Sequence, residues 1–264
     1  MKIFKNIVIW TFLIAYLIAI MSFVNDRCNR VLCNDIKVYV VDGENNAFVT
    51  QDDMKDLLNK PGNTVLGSPI NIINTKEIEE IIQKNSAVKK ADVYVTINGD
   101  LRVDVDQRNP IVRVINRKNQ SYYIDDDGTK MSLSRKYSSH VLVANGHIIE
   151  HFEINKSNVS VCENKEENPK KNYVVCDLFV LSKFIYDDEF WRSQIEQIYV
   201  NEANEFELIP RVGAHLILFG SIDNYERKFR NLKIFYEQGL NNIGWNKYEK
   251  INLKFDNQIV CTKK

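Results

Sequence analysis

Apolar and polar residues alternate with period two on both sides of Asn98-Gly99. Before it, Val93, Val95 and Ile97 alternate with Asp92, Tyr94 and Thr96; after it, Leu101, Val103 and Val105 alternate with Arg102, Asp104 and Asp106. Asn-Gly tolerates the positive φ angles of a tight turn, so residues 88–107 are predicted to form a hairpin with one apolar face. Such a face needs a cover, and the chain supplies two helices upstream. Ile36, Val38 and Val40 open the region as a strand that ends at Asp42-Gly43. Thr50 and Asp53 then make a capping box for a helix over 51–58, with Met54, Leu57 and Leu58 on one side, stopped by Lys60-Pro61-Gly62-Asn63. Asn74, with Glu77 three residues on, caps a second helix carrying Ile78, Ile81 and Ile82. The predicted order is strand, helix, helix, strand, strand.

The N-terminal pattern is different in kind. Residues 7–24 form an uncharged run of 18, interrupted only by Thr11 and Ser22. As a helix it would span roughly 27 Å, close to the thickness of a hydrocarbon core. The run is long for a signal-peptide core and no small-x-small cleavage site follows it, so a retained single transmembrane helix is the reading. Lys2 and Lys5 flank it on one side and Arg27, Arg30 and Lys37 on the other, so charge alone does not orient it.

Past Gln107 the pattern turns to strands and a few helices. Pro110 lacks a backbone donor and holds Asn109 extended, which suits a seam between two units at Arg108 and Pro110. Residues 111–115 and 121–124 read as strands joined to a Gly128 turn. Asp125-Asp126-Asp127 lacks the spacing of a calcium loop. His147 and His151 are four apart, but Gly146 and the surrounding isoleucines fit a strand as well as a helix, and no metal is assigned. Residues 155–171 read as an exposed polar loop. Leu178, Leu181, Phe184 and Ile185 then recur at helical spacing, and Trp191, Ile195 and Ile198 lead into a strand. Residues 206–209 and 214–220 read as a hairpin. Asp223 and Glu226 are placed to cap a helix bearing Phe229, Leu232 and Tyr236, which would stop at Gly239. Residues 248–254 and 255–260 complete the chain as a terminal strand or hairpin, a candidate sheet edge with unpaired backbone groups.

Composition removes several function classes. Lys and Arg number 35 and Asp and Glu 35, interleaved throughout, so no basic face for nucleic acid is expected. No G-x-S-x-G, H-E-x-x-H or phosphate-binding glycine loop occurs, and neither an enzyme nor a cofactor is predicted. The cysteines number five. In an oxidising compartment Cys162 and Cys176 would close a loop worth up to ~3 kcal/mol. Free thiols are the alternative there, as they are for Cys28 and Cys33.

Four ordered stretches carry a resemblance. These are Ser86-Ala87-Val88-Lys89-Lys90-Ala91-Asp92-Val93, Leu101-Arg102-Val103-Asp104-Val105, Gln107-Arg108-Asn109-Pro110, and Tyr122-Tyr123-Ile124-Asp125-Asp126-Asp127-Gly128. Together they resemble the FtsQ/DivIB family of bacterial cell division, with Gln107 where that family usually has Glu. Phe219-Gly220, Arg227, Lys228 and Arg230 are similar to its Leu-Gly element and basic helix.

The resemblance implies an α+β chain: a single N-terminal transmembrane helix, a βααββ POTRA-like domain, and a mostly antiparallel β domain with flanking helices. The corresponding boundaries are a cytoplasmic tail (1–6), membrane helix (7–24), linker (25–35), POTRA-like domain (36–108), β domain (109–261) and tail (262–264). It also implies a non-enzymatic scaffold of the inner membrane, N-terminus cytoplasmic and C-terminal domain periplasmic, enriched at the division septum. Its partners would be FtsB and FtsL, with other septal proteins on the POTRA face. Lys254, Phe255, Asp256 and Asn257 match the family's partner-binding ending, and Ile259 continues it. The alternatives are an accessory protein of envelope assembly or transport bearing a POTRA unit, and a membrane-tethered envelope enzyme.

Overall fold

The computed structural model describes residues 9–20, 31–41, 47–60, 65–96, 98–150, 160–163 and 174–264. Residues 9–20 form helix α1, with every side chain exposed. Among the described residues no helix is long and apolar enough to cross a membrane. The ends of the predicted span, residues 7–8 and 21–24, lie outside the described residues, as do the turns expected at Asp42-Gly43 and Pro61-Gly62-Asn63. The chain divides into two units, Met1–Gln107 and Arg108–Lys264, which puts Arg108 in the second.

In the first unit a three-stranded sheet runs in the order β1-β3-β2, from β1 (Ile36–Val40), β2 (Val88–Val95) and β3 (Leu101–Gln107). β1 lies parallel to β3 and β2 antiparallel to it. Alternation buries Ile36, Val38, Ala91, Val93, Leu101, Val103 and Val105 on one face, and helices α2 (Gln51–Leu58) and α3 (Thr75–Gln83) lay Met54, Leu58, Ile78 and Ile82 against it. The Thr50–Asp53 capping box forms in both directions, and Asn74 accepts the Glu77 N–H at 3.3 Å. The hairpin turn differs from the expected two-residue form. β2 ends at Val95, Thr96 pairs its N–H with the Asp100 carbonyl at 2.8 Å, and Gly99 takes φ +87°, the geometry of a longer loop closed by a left-handed glycine. Gln107 is buried, its amide oxygen accepting the Val49 N–H at 2.8 Å.

The second unit is built on a nine-stranded sheet in the order β12-β11-β10-β9-β8-β7-β4-β5-β6. Its strands are β4 (Pro110–Ile115), β5 (Ser121–Asp125), β6 (Lys130–Met131), β7 (Leu142–Gly146), β8 (Ile195–Val200), β9 (Phe206–Pro210), β10 (Leu216–Gly220), β11 (Tyr248–Asn252) and β12 (Val260–Lys263). The sheet is mixed: β4 with β7, β7 with β8, and β10 with β11 are parallel, and the other five pairings antiparallel. Each parallel pair spans a long connection, and two carry helices: α4 (Val174–Asp187) and α5 (Glu189–Gln194) before β8, and α6 (Tyr225–Ile234) before β11. Those helices bury Leu178, Leu181, Ile185, Trp191, Phe229 and Leu232 in one core with Val112, Val114, Ile198, Leu208, Ile217 and Phe219 from the strands. Gly146 ends β7 at φ +105°, where a Cβ would come within 2.2 Å of the Val200 carbonyl oxygen.

The turn after β5 is braced by charge. Asp125 is fully buried. Its carboxylate accepts from Arg108 at 2.8 Å, from the Thr129 N–H at 2.6 Å and from the Asp127 N–H at 3.1 Å. Burial raises its pKa, and Arg108 and the Thr129 N–H oppose that shift. Removing the carboxylate leaves a guanidinium in a place with little water. Asp125→Ala is therefore expected to lower unfolding stability by roughly 3 kcal/mol or more, read from the urea midpoint of the full chain; an unchanged midpoint would show that the pair is energetically idle.

Candidate functional site

The C-terminal hairpin is set in place by the residues before it. Helix α6 starts after Asn224, which sits at φ 53° with no side-chain cap. The expected Asp223–Glu226 box does not form, because the Asp223 carboxylate accepts from the Ser221 hydroxyl at 2.8 Å. Nor does the helix stop at Gly239. It widens into a π-helical stretch, Phe235–Leu240, and ends at Gly244, whose φ is +103°. Gly239 is accommodated because the wider turn brings the Phe235 ring where a Cβ would stand, 2.9 Å away. Trp191 packs its ring at 4.9 Å from Phe229 and 5.9 Å from Tyr236, holding the middle of this helix against α5.

From Gly244 the chain enters β11, parallel to β10, and turns back as β12. The predicted partner residues Lys254, Phe255, Asp256, Asn257 and Ile259 therefore lie in the loop between the last two strands, and the edge strand is Val260–Lys263. The loop is tied down on two sides: Lys254 pairs with Glu205 and Asp256 with Arg227. The Lys254 hydrogen bond is the main reason that the Glu205 pKa is lowered. Gly220, at φ +79°, lets the Lys254 chain cross, since a Cβ there would meet Lys254 Cγ at 2.9 Å. Asn257 turns the chain at φ 60°, and Phe255 is left half-exposed. Ile259 packs on the core.

β12 itself presents a free flank among the described residues. The Lys264 N–H donates inward to the Lys247 carbonyl, so by the alternation of an antiparallel ladder the Lys263 and Cys261 backbone groups point outward. Between the helix and the loop that leads into the strand lies an open groove of about 550 Å³ lined by Asn231, Ile234, Phe235, Gln238, Asn257 and Ile259. Ile234 and Val260 expose apolar surface next to it. The sequence pattern put the terminal strand at residues 255–260, a few residues early, and missed the groove wall; the signal for the later start was the Val260-Cys261-Thr262 run following a turn-forming Asn257.

Other candidates fall into structural roles. His215 is buried, and its Nε2 shares a hydrogen bond with the Tyr236 hydroxyl at 3.0 Å. Burial lowers the His215 pKa, Lys264 acts the same way, and the Trp245 backbone opposes both. His147 follows β7 with its backbone N–H on the Val200 carbonyl at 2.7 Å; His151 lies outside the described residues. Asp125, Asp126 and Asp127 bring carboxylate oxygens within 4.8 Å of one another, but the buried one is engaged by Arg108 and the turn. Pro110 is the first residue of β4. Cys162 and Cys176 form a disulfide with Cα atoms 4.9 Å apart, tying the turn at residue 162 to the start of α4. Cys33 and Cys261 are free thiols, and Cys28 lies outside the described residues.

Comparison with known proteins gives two family-model matches. One described as FtsQ/DivIB, C-terminal related, covers residues 109–262, and one described as a POTRA-like domain covers residues 31–106. No curated protein matches the chain.

The His215 geometry carries a pH dependence with a definite sign. A histidine whose folded pKa lies below the ordinary value of about 6.5 holds its full stabilising contribution above that value and loses it as pH falls below it. The melting temperature of wild type is expected to drop between pH 7.5 and pH 5, and His215→Gln to show a smaller drop. Equal drops in the two proteins would remove His215 from the account.

Proposed function

The chain belongs to the FtsQ/DivIB family, and on that premise we propose that it is a non-enzymatic, membrane-anchored scaffold of bacterial cell division that receives an FtsB- or FtsL-type partner on its C-terminal edge. The observation that carries this reading is β12. It ends the nine-stranded sheet with outward-facing backbone donors and acceptors, the arrangement to which an extended segment of another chain adds as a further strand. The adjacent groove, with Ile234, Phe235 and Ile259, offers apolar surface to residues flanking that strand. Lys254, Phe255, Asp256 and Asn257 form the pinned loop at the end of the same edge.

An anchor fits the N-terminal segment: helix α1 leaves Trp10, Phe12, Leu13, Ile14, Leu17 and Ile18 exposed, a set of side chains suited to lipid. Anchoring in the bacterial inner membrane, with the C-terminal units periplasmic, places partners in the same plane. Modest pairwise affinities then suffice through effective concentration. The first unit offers a second docking face to other septal proteins through the solvent side of its sheet, where Arg102 lies 4.2 Å over the Tyr39 ring. A scaffold reading also accords with a chain whose buried histidine is engaged by a tyrosine rather than by a nucleophile.

The edge is tested by removing one outward donor. Lys263→Pro deletes the N–H and keeps the exposed position, whereas Lys263→Ala keeps the donor. Lys263→Pro is expected to weaken binding of the FtsB–FtsL pair at least about fivefold, with Lys263→Ala within twofold of wild type and circular dichroism unchanged. Proline at Asn257 would break a left-handed turn instead and say nothing about strand addition. Equal binding by the two Lys263 variants moves the partner off β12.

A further inference from the structure

A second concave site lies in the C-terminal unit, at the amino ends of the parallel strands β4, β7 and β8. It is a recess of about 250 Å³, walled by Ile111, Leu142, Val143, Ile185 and Ile195. Ser182 lines it from α4. That residue is 0% exposed, and its hydroxyl has no hydrogen-bond partner. A buried hydroxyl without a partner is costly in a folded protein unless something else satisfies it. Cations gather on the same walls. Arg192 reaches in from α5, its guanidinium donating to the Tyr186 carbonyl at 3.3 Å and lying 5.5 Å over the Tyr186 ring. Tyr186 is in turn held by Asn109, whose amide donates to the phenolic oxygen at 2.7 Å. Arg211 comes from the end of β9, its backbone fixed by an N–H bond to the Gln194 carbonyl at 2.7 Å. His140 adds a third nitrogen base, and Glu196 is the one carboxylate in the lining. Neither arginine forms an ion pair among the described residues.

We propose that this recess binds the free carboxyl terminus of a peptide ending in an aliphatic residue. Two arginines on separate elements bring guanidiniums to the recess to match a planar carboxylate, and that of Arg192 is held by Tyr186 rather than by an acid. Glu196 disfavours a second negative charge on the ligand, which selects a monoanion over a phosphate dianion. The isoleucine and leucine walls take one branched side chain, and the recess is too small for an aromatic pair. The terminal peptide amide or the preceding carbonyl satisfies the Ser182 hydroxyl. The site is separate from the β12 edge, and its occupant is independent of strand addition there.

The test uses the full chain in a neutral maltoside detergent with four probes: the tripeptide Gly-Ala-Leu with a free carboxylate, the same tripeptide amidated, N-acetyl-leucine, and inorganic phosphate. Saturation-transfer NMR and calorimetry are expected to show saturable millimolar binding of the free acid that weakens with salt, and at least tenfold weaker binding of the amide and of phosphate. The double variant Arg192→Gln, Arg211→Gln changes only exposed side chains; it should melt as wild type does and lose the binding by at least tenfold. Ser182→Val should weaken the acid by filling the floor, and the arginine pair decides the matter if that variant fails to fold. The proposal is overturned by no saturable binding, by equal binding of acid and amide, or by binding retained in the double variant. Tighter binding of phosphate would make the site an anion site without an aliphatic pocket, and N-acetyl-leucine binding without the tripeptide would make it a small-molecule site; either result also rejects the peptide terminus.

Discussion

Trp191 is the contact on which the second unit depends. It is nearly inaccessible to solvent, and its indole touches Phe190, Phe229 and Tyr236 at ring distances between 4.8 and 5.9 Å. Those partners come from α5, α6 and the π-helical stretch, so one side chain ties α5 to α6 and its continuation within the core. Aromatic burial of this kind combines large area with fixed geometry. Position follows from it in sequence. Once Phe229 is seated, Arg227 two residues earlier faces Asp256, and once Tyr236 is seated its hydroxyl meets His215 at the start of β10. The outer hairpin is placed by a core residue far from it along the chain.

The sheet edges are treated unequally. In the first unit the Val93 N–H of β2 is occupied by the Glu79 carboxylate at 2.8 Å, a side chain from α3 bent over the edge. At the far end of the large sheet β6 is only two residues long. Both devices blunt an edge against unwanted pairing. β12 has four residues and neither protection, although its exposed Lys263, with Lys264 just past its end, discourages indiscriminate association. β1, the other edge of the first sheet, has five residues, so the proposal for β12 rests on its place at the rim of the large sheet and not on openness alone.

Much of the first unit was legible because its determinants are local. The alternation around Asn98-Gly99, the Thr50–Asp53 box and the Asn74 cap each act within a few residues, and the element order followed from them. The second unit was less so. Its parallel pairings of β4 with β7 and of β10 with β11 join residues roughly 30 apart in sequence, and no local pattern announces such pairs. The Asp223 cap failed because Ser221 offered its carboxylate a closer donor, and Gly239 failed as a stop because a wider helical turn absorbed it. The candidate edge was placed a few residues early: Phe255 and Ile259 look like strand residues in sequence, while Asn257 between them turns the backbone left-handed. A site made of backbone groups leaves no residue signature, and Ser182 in an apolar helix reads as an ordinary interior serine until its missing partner is seen.

Among the described strands of its sheet β12 alone buries no side chain; even the two-residue β6 buries Met131. The β12 ladder to β11 also carries a register slip, between Tyr248 and Lys250. β11 contributes Ile251 to the core, so the main apolar anchorage stops one strand short of the rim. Backbone hydrogen bonds exposed to solvent are the cheapest to open. On the proposed reading, a partner segment could join the sheet in two ways, by lying outside β12 or by taking its place along β11. The second route would make the chain's own last residues a competitor for the partner, so that its affinity is set by the difference between two strands rather than by one.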